Sequence, residues 1–238
     1  MVDIHTHLLH NIDDGAAGLD VSVNMLKQMK EMGVHTVVCT PHFNYTRSTP
    51  EEFVMLRDEK IEELRPYAGE LGIKLLKGSE VYLGENMLSL SDATHLCIEG
   101  TRNVLVEFPC ARPLTREDLK LLVNFSDYYN VRPIIAHAER YYSVIKNNKF
   151  AEKFLAMDAY IQIDAASLFE KRYKKTARAL IKRGFASFIA SDCHSDTIRK
   201  PTVLADAFLE IERLFGADAV NDFKSNNEAV VSTLQTKI

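Results

Sequence analysis

Along the chain, short runs rich in β-branched and aliphatic residues alternate with longer segments in which apolar residues recur every three or four positions. The short runs predict strands at 2–5, 36–40, 74–81, 103–108, 133–137, 160–163 and 187–191. The longer segments predict helices. Residues 19–32 place Val23, Leu26, Met29 and Met32 on one face, and Gly33 follows as the stop. Thr49-Pro50-Glu51-Glu52 is a capping box with proline at the first helical position. Thr115-Arg116-Glu117-Asp118 opens another helix ahead of Leu119, Leu121 and Leu122. Segment 175–183 ends at Gly184, and Pro201 opens a last long helix over 202–215.

Strands alternating with helices imply an α/β protein with a parallel sheet. The pattern alone fits an open doubly wound sheet or a closed barrel. No linker, low-complexity tract or composition break interrupts the alternation, so one domain over 1–238 is expected. Neither GxGxxG nor GxxxxGK[ST] occurs, which lowers a nucleotide-binding reading.

The polar residues separate the two architectures. His5 and His7, two apart, share a face at the end of the first strand. His42 lies just past the second strand. Glu80 closes the third, Glu107 the fourth and His137 the fifth. The sixth ends near Gln162 and Asp164, and the seventh runs into Asp192 and His194. Nearly every strand therefore delivers His, Asp or Glu at its C-terminal end. In a barrel these ends converge on one face, where active sites form; an open sheet would spread them along an edge. Convergence favours the barrel. His and carboxylates without thiolate make mixed N/O ligation suited to Mn, Fe or Zn. The candidates outnumber one metal's needs, so two or three divalent transition metals are expected. Adjacent metals sharing a hydroxide cleave phosphate esters.

Each piece has a plainer reading. A lone HxH is weak, Asp13-Asp14-Gly15 is ordinarily a turn, and Glu107 could serve an ion pair. Their joint position at successive strand ends outweighs this. For other residues the plain reading stands. His10 is expected in solvent, His35 at the opposite end of the strands, and His95 without partners. Tyr141-Tyr142 reads as packing and Lys171–Lys175 as a solvated face.

Composition adds limits. The 46% apolar content supports a sizeable core, and the net charge of −4 argues against non-specific binding to nucleic acid or anionic membrane. No apolar run approaches the ~20 residues of a membrane span. The first residues carry no signal-peptide pattern. Cys39, Cys97, Cys110 and Cys193 lack CxxC spacing, and free thiols point to a reducing cytoplasm.

With these residues in view, the chain resembles the PHP (polymerase and histidinol phosphatase) superfamily over essentially its whole length. More narrowly, DIHTHLLHNIDDG, TPHF, GSEVY, LVEFP, HAERY and SDCH resemble the bacterial manganese-dependent protein-tyrosine phosphatases encoded with capsule and exopolysaccharide genes. The resemblance implies a distorted (β/α)7 TIM-like barrel with a trinuclear metal centre, Mn2+ being the expected ion. It assigns His5, His7, Glu80 and Asp192 to one metal, and Glu80, Glu107 and His137 to a second. Asp14, His42 and His194 would hold a third. It also places Arg140 and Arg199 as phosphate-binding arginines. Asp164 stands where relatives commonly carry an uncharged residue.

The reading is thus a cytoplasmic, metal-dependent phosphomonoesterase of the protein-tyrosine phosphatase type. Arg140 reaches outward from the loop to the substrate. The implied partner is a phosphotyrosine protein, an autophosphorylating bacterial tyrosine kinase with a tyrosine-rich tail. No nucleic acid and no membrane insertion are expected. The alternatives are a small-molecule phosphatase of the histidinol-phosphate type, a nuclease, which the lack of a basic stripe disfavours, and a non-catalytic metal-binding regulatory module.

Overall fold

In a computed structural model that describes residues 1–232, the predicted strand runs form nine short strands on seven lines. They are β1 (Val2–Thr6), β2 (Thr36–Cys39), β3 (His42–Phe43), β4 (Lys74–Lys77), β5 (Glu80–Tyr82), β6 (Asn103–Glu107), β7 (Arg132–Ile135), β8 (Tyr160–Asp164) and β9 (Phe188–Ala190). All pair in parallel, in the orders β1-β2-β4 and β3-β5-β6-β7-β8-β9.

Where the sheet bends, the third predicted run is broken and the second is followed, past its predicted end, by a further short strand on the same line. The second stops at Cys39 and resumes at His42 across Thr40-Pro41; the third stops at Lys77 and resumes at Glu80 across Gly78-Ser79. Proline supplies no ladder donor. A Cβ on Gly78 would lie 2.7 Å from Val38 Cγ1, so only glycine lets the third line pass the second there. The curled sheet joins its two edges beyond β1 and β9. The Asp192 N–H donates to His5 O at 3.0 Å, and the His7 N–H to Cys193 O at 2.9 Å.

Strand β1 carries a register shift against β2: Asp3 pairs with Val37, but Thr6 pairs with Cys39. Three steps on β1 match two on β2, which makes a bulge. Strict alternation would put Ile4 and His5 on opposite faces. Instead Ile4 joins a cluster that takes Val38, Leu76, Leu105, Ile134 and Phe188 from the other lines, while His5 also turns to the polar residues at the strand ends. That cluster fills the barrel interior beneath the site.

Helices α1 (Leu19–Glu31) and α2 (Pro50–Glu70) cover β2 and β4 through Met25, Leu26, Met29, Ile61 and Leu64. Helix α3 (Arg116–Tyr129), the short α4 (Tyr142–Lys146) and α5 (Glu152–Leu155), α6 (Lys174–Lys182) and α7 (Val203–Phe215) cover the remaining strands. The predicted capping box forms as a reciprocal pair of Thr49 with Glu52, and the helix start at Thr115 proves to be another, Thr115 with Asp118. Gly33 and Gly184 follow their helices at φ +78° and +68°. The sequence reading ended the last helix at 215. A further helix, α8 (Ala217–Val230), follows Gly216 and packs on β1 and β9. It buries only Val220, Phe223, Asn227 and Val230, too sparse a stripe to stand out in sequence. Asn227 Nδ2 donates to Val2 O at 3.0 Å and Ile189 O at 2.8 Å, tying the first and last strands together. No helix among the described residues is long and apolar enough to cross a membrane.

Candidate metal centre

The strand ends bring all nine predicted ligand residues into one cluster. His5 comes from β1, His7 and Asp14 from the chain after it, His42 from β3, Glu80 from β5 and Glu107 from β6. His137 follows β7, and Asp192 and His194 follow β9. His137 and Asp192 hold φ of +35° and +50°, the left-handed region that costs a non-glycine residue roughly 1–2 kcal/mol. Two side chains of the cluster therefore sit on strained backbone, where functional sites often place them. The sequence reading kept His137 within its strand; the strand ends at Ile135, and this turn is why.

Glu80 is the hub, and it is buried. Its Oε2 lies 3.1 Å from His5 Nε2, 3.2 Å from His7 Nε2 and 3.1 Å from His42 Nδ1. Its Oε1 lies 2.7 Å from His137 Nε2. Asp192 Oδ1 is 3.5 Å from both His5 and His7. Glu107 lies 3.2 Å from His42 Nδ1 and 3.9 Å from His137 Nε2. Asp14 Oδ1 is 3.4 Å from His42 Nε2 and 3.5 Å from His194 Nε2. Three overlapping donor groups result: His5-His7-Glu80, His42-Glu80-Glu107 and His7-Asp14-His42-His194. They overlap the expected grouping but differ from it: His7 also joins the Asp14 group, and His137 and Asp192 approach Glu80, His5 and His7 without falling inside any of the three. His42 faces two groups, its Nδ1 toward Glu80 and Glu107 and its Nε2 toward Asp14.

The donor set fits cations. Ligands ~2.1 Å from one metal lie roughly 3–3.5 Å apart, the spacing seen around Glu80. Glu80 Oε2 and His42 Nδ1 are buried atoms with no hydrogen-bond partner of good geometry. A divalent ion would satisfy both. Oxygen and nitrogen donors without thiolate suit Mn, Fe or Zn.

Outer contacts orient these groups. Asp13 Oδ2 meets His7 Nδ1 at 2.7 Å and accepts from the His42 N–H at 2.9 Å. A carboxylate on the far nitrogen of a ligating imidazole fixes its tautomer. Gly15 closes this loop; a Cβ there would lie 2.2 Å from His7 O, so no other residue fits. Gln162 Oε1 lies 3.1 Å from His5 Nδ1 and accepts from the His137 N–H at 2.8 Å. Sequence reasoning passed over Asp13 as a turn residue, because nothing separates it from Asp14 without coordinates. The Gln162 role was equally unmarked; its place at the end of the sixth strand was the available signal.

Electrostatics match. Burial would raise the Glu80 and Asp192 carboxyls, but His5 and His137 beside Glu80, and His5, His7 and Arg140 beside Asp192, hold both well below the usual range. Burial disfavours a charged His7, yet contact with Asp13 raises its pKa well above normal. Burial likewise opposes Asp13, which His7 pulls down to about 2. Burial and the nearby His7 push His194 down to about 3, leaving a neutral imidazole with lone pairs to donate.

Arg140 does not reach outward as expected. Arg140 turns inward, pairing through Nη2 with buried Asp164 and through Nη1 with Asp192 Oδ2 at 3.0 Å. Arg199 Nη2 donates to the same Asp192 oxygen at 2.6 Å. The anchor Asp164 is raised to about 6 by burial, against the pull of Arg140.

Outside the cluster, the expectations for His10 and His95 need correction. His10 is buried, not solvated, with Nε2 3.0 Å from Glu63 Oε2 on α2. That partner lies 53 positions away, beyond local reading. His95, expected without partners, is exposed and lies 3.7 Å from Asp92, while His35 pairs with Glu228 at the opposite end of the strands. Tyr141 is buried in packing, while Tyr142 is partly exposed. The four cysteines are free thiols.

The family model for capsular polysaccharide synthesis, CpsB/CapC, matches residues 1–232. The tyrosine-protein phosphatase CpsB of Streptococcus agalactiae serotype III is 26% identical over 241 residues, spanning 97% of this chain and 98% of that protein. The putative tyrosine-protein phosphatase CapC of Staphylococcus aureus is 30% identical over 240 residues, spanning 98% and 91%. A solved structure comes from work on YwqE of Bacillus subtilis and CpsB of Streptococcus pneumoniae, described as unique metal-dependent tyrosine phosphatases. It matches with a TM-score of 0.84 at 25% identity, covering 97% of this chain and 94% of that one. The organophosphorus hydrolase of Deinococcus radiodurans shares the fold alone, with a TM-score of 0.55 at 14% identity. The chain belongs to the CpsB/CapC capsular polysaccharide synthesis family.

Proposed function

We propose that this chain is a metal-dependent protein-tyrosine phosphatase with a multinuclear centre, acting on a phosphotyrosine protein in the control of capsule or exopolysaccharide synthesis. The observation that carries the reading is Glu80. Its Oε2 faces His5, His7 and His42 and its Oε1 faces His137, so one carboxylate is shared by side chains expected on different metals. Family membership and the phosphatase names of the relatives support the substrate class.

His5, His7, Glu80 and Asp192 would hold one cation, Glu80, Glu107 and His137 a second, and Asp14, His42 and His194 a third. Such cations, manganese by our reading, supply an activated water and neutralise phosphoryl charge. The chain's own residues do the rest. Asp13 and Gln162 keep the His7 and His5 rings aimed inward. Arg140 and Arg199 spend only part of their donors on Asp192 and Asp164, and Arg140 Nε is buried without a partner. A planar guanidinium fork suits two phosphoryl oxygens. Phosphoryl transfer needs this positioning and charge more than covalent help. A phenolate departs more readily than an alkoxide, so tyrosine esters need little proton donation.

The protein substrate we propose is the tyrosine-rich tail of an autophosphorylated kinase, met in the cytoplasm. Hydrolysis of a phosphotyrosine peptide, histidinol phosphate and single-stranded DNA should be compared with Mn2+ present. Release of phosphate from the peptide far above the other two is expected. Preference for histidinol phosphate would move the function to small molecules.

A further inference from the structure

A groove of about 820 Å³ opens from one side of the metal centre. At its inner end stand Asp14, His42 and Glu107, all members of the donor cluster. Its walls include Ile12, Phe53, Leu56 and Tyr82, with Arg47 also lining it. Arg140 and Arg199 line no part of it; they sit against Asp192. We infer that this groove is the subsite for the aryl group of phosphotyrosine, and that Arg47 selects a carboxylate on the flanking peptide. The inference rests on the phosphatase reading and deepens it.

Continuity and charge carry the argument. A ligand that fills this space must join a phosphoryl group at the donor cluster to an apolar body between α2 and Tyr82. A phenyl ring one bond from phosphate has that shape, and apolar walls reward its burial. Among the described residues Arg47 is the one Lys or Arg lining the groove. Among the described residues its side chain makes no hydrogen bond or ion pair. Arg57, Arg65, Arg112 and Arg132 each have a carboxylate partner. The groove's own Glu52 is occupied as the cap of α2, accepting from the Thr49 N–H at 2.9 Å. A turn sets the position of Arg47: its N–H donates to Asn44 O at 2.9 Å, and the Thr46 N–H to Asn44 Oδ1 at 3.0 Å. An exposed, unpaired guanidinium beside a phosphoryl site favours acidic over basic peptide.

The test uses the full chain with Mn2+ and two phosphotyrosine peptides, one flanked by aspartates and one by lysines. For the wild type, kcat/KM should favour the acidic peptide roughly three- to five-fold, the size of one exposed ion pair. Salt should shrink the preference. Arg47→Ala should erase it and Arg47→Glu should invert it; a ratio does not depend on the folded fraction. For the ring, competitive inhibition by phenylphosphonate is compared with that by inorganic phosphate. Leu56→Asp should weaken phenylphosphonate about tenfold relative to phosphate. The same peptide preference in all three proteins, or equal weakening of both inhibitors, overturns the groove assignment. Wild-type protein that hydrolyses no phenyl phosphate overturns the phosphatase reading itself, and this inference with it.

Discussion

The two ends of the same strands are built on opposite terms. At the N-terminal end the barrel interior is apolar: Val2, Ile4, Val38, Leu76, Leu105, Ile134 and Phe188 close on one another. A few residues further along, the interior turns to His5, His7, Glu80, Gln162, His137 and Asp192, all buried. The first end gains stability from burial. The second holds ionisable groups out of water, which costs free energy unless charge compensates it. Two left-handed residues, His137 and Asp192, add strain at that same end. The contrast teaches that the barrel floor supports a site that would not be stable by its own contacts. Mutations should therefore separate the ends, the floor losing stability and the mouth losing metal or turnover.

The largest expected effect is at Arg140. By comparison with removal of one preorganised oxyanion donor, Arg140→Ala should lower turnover on a phosphotyrosine peptide roughly 10²–10³-fold with metal retained. Because Arg140 neutralises buried Asp164, the variant should also lose stability, which an exposed phosphate ligand would not. Arg140→Lys should restore only part of the rate. Steady-state rates beside metal content and thermal melts decide this; near-normal turnover would remove Arg140 from the substrate site. On the floor, Leu105→Ala should cost about 2–5 kcal/mol in denaturant unfolding while the folded fraction keeps its kcat. A floor variant that lost metal while folded would break the comparison.

Next comes the ring behind the ligands. Asp13→Asn removes the carboxylate charge that faces His7 Nδ1, and metal affinity should fall about 10–100-fold, read by chelator competition. Unaltered affinity would reduce Asp13 to the turn residue that sequence suggested. The smallest effect concerns a pair remote from the site. Asp118 caps α3 and meets Arg112 at 2.6 Å. Hydrogen bonding to Arg112 holds its carboxyl down at about 2. Its folded pKa lies below its unfolded one, so its contribution is present above pH ~4 and lost as pH falls toward 2. Asp118→Ala should cost about 1 kcal/mol at neutral pH, allowing for solvent screening. The difference from wild type should shrink in acid; a constant difference would show that charge plays no part.

Much of this was legible because it is local or periodic. The HxH pair, the carboxylates ending apolar runs, the Thr49 and Thr115 caps and the glycines after helices declare themselves within a few positions. What stayed hidden depends on distant partners or small backbone shifts. The β1 bulge that puts Ile4 and His5 on one side leaves no mark in sequence. Asp13 and Asp14 are chemically identical neighbours, and only the path of the loop gives one His7 and the other His42 and His194. The inward turn of Arg140 needs Asp164, 24 residues on. His10 finds Glu63 across a helix pair.

The central claim is that Glu80 joins the donor groups into one multinuclear centre. Elemental analysis of purified wild type, Glu80→Ala and His10→Ala tests it most directly. The account predicts more than one transition metal per chain in wild type. It predicts loss of more than one from Glu80→Ala, and wild-type content in His10→Ala. Equal metal loss in the two variants, or full phosphatase activity in metal-free wild type, would contradict it.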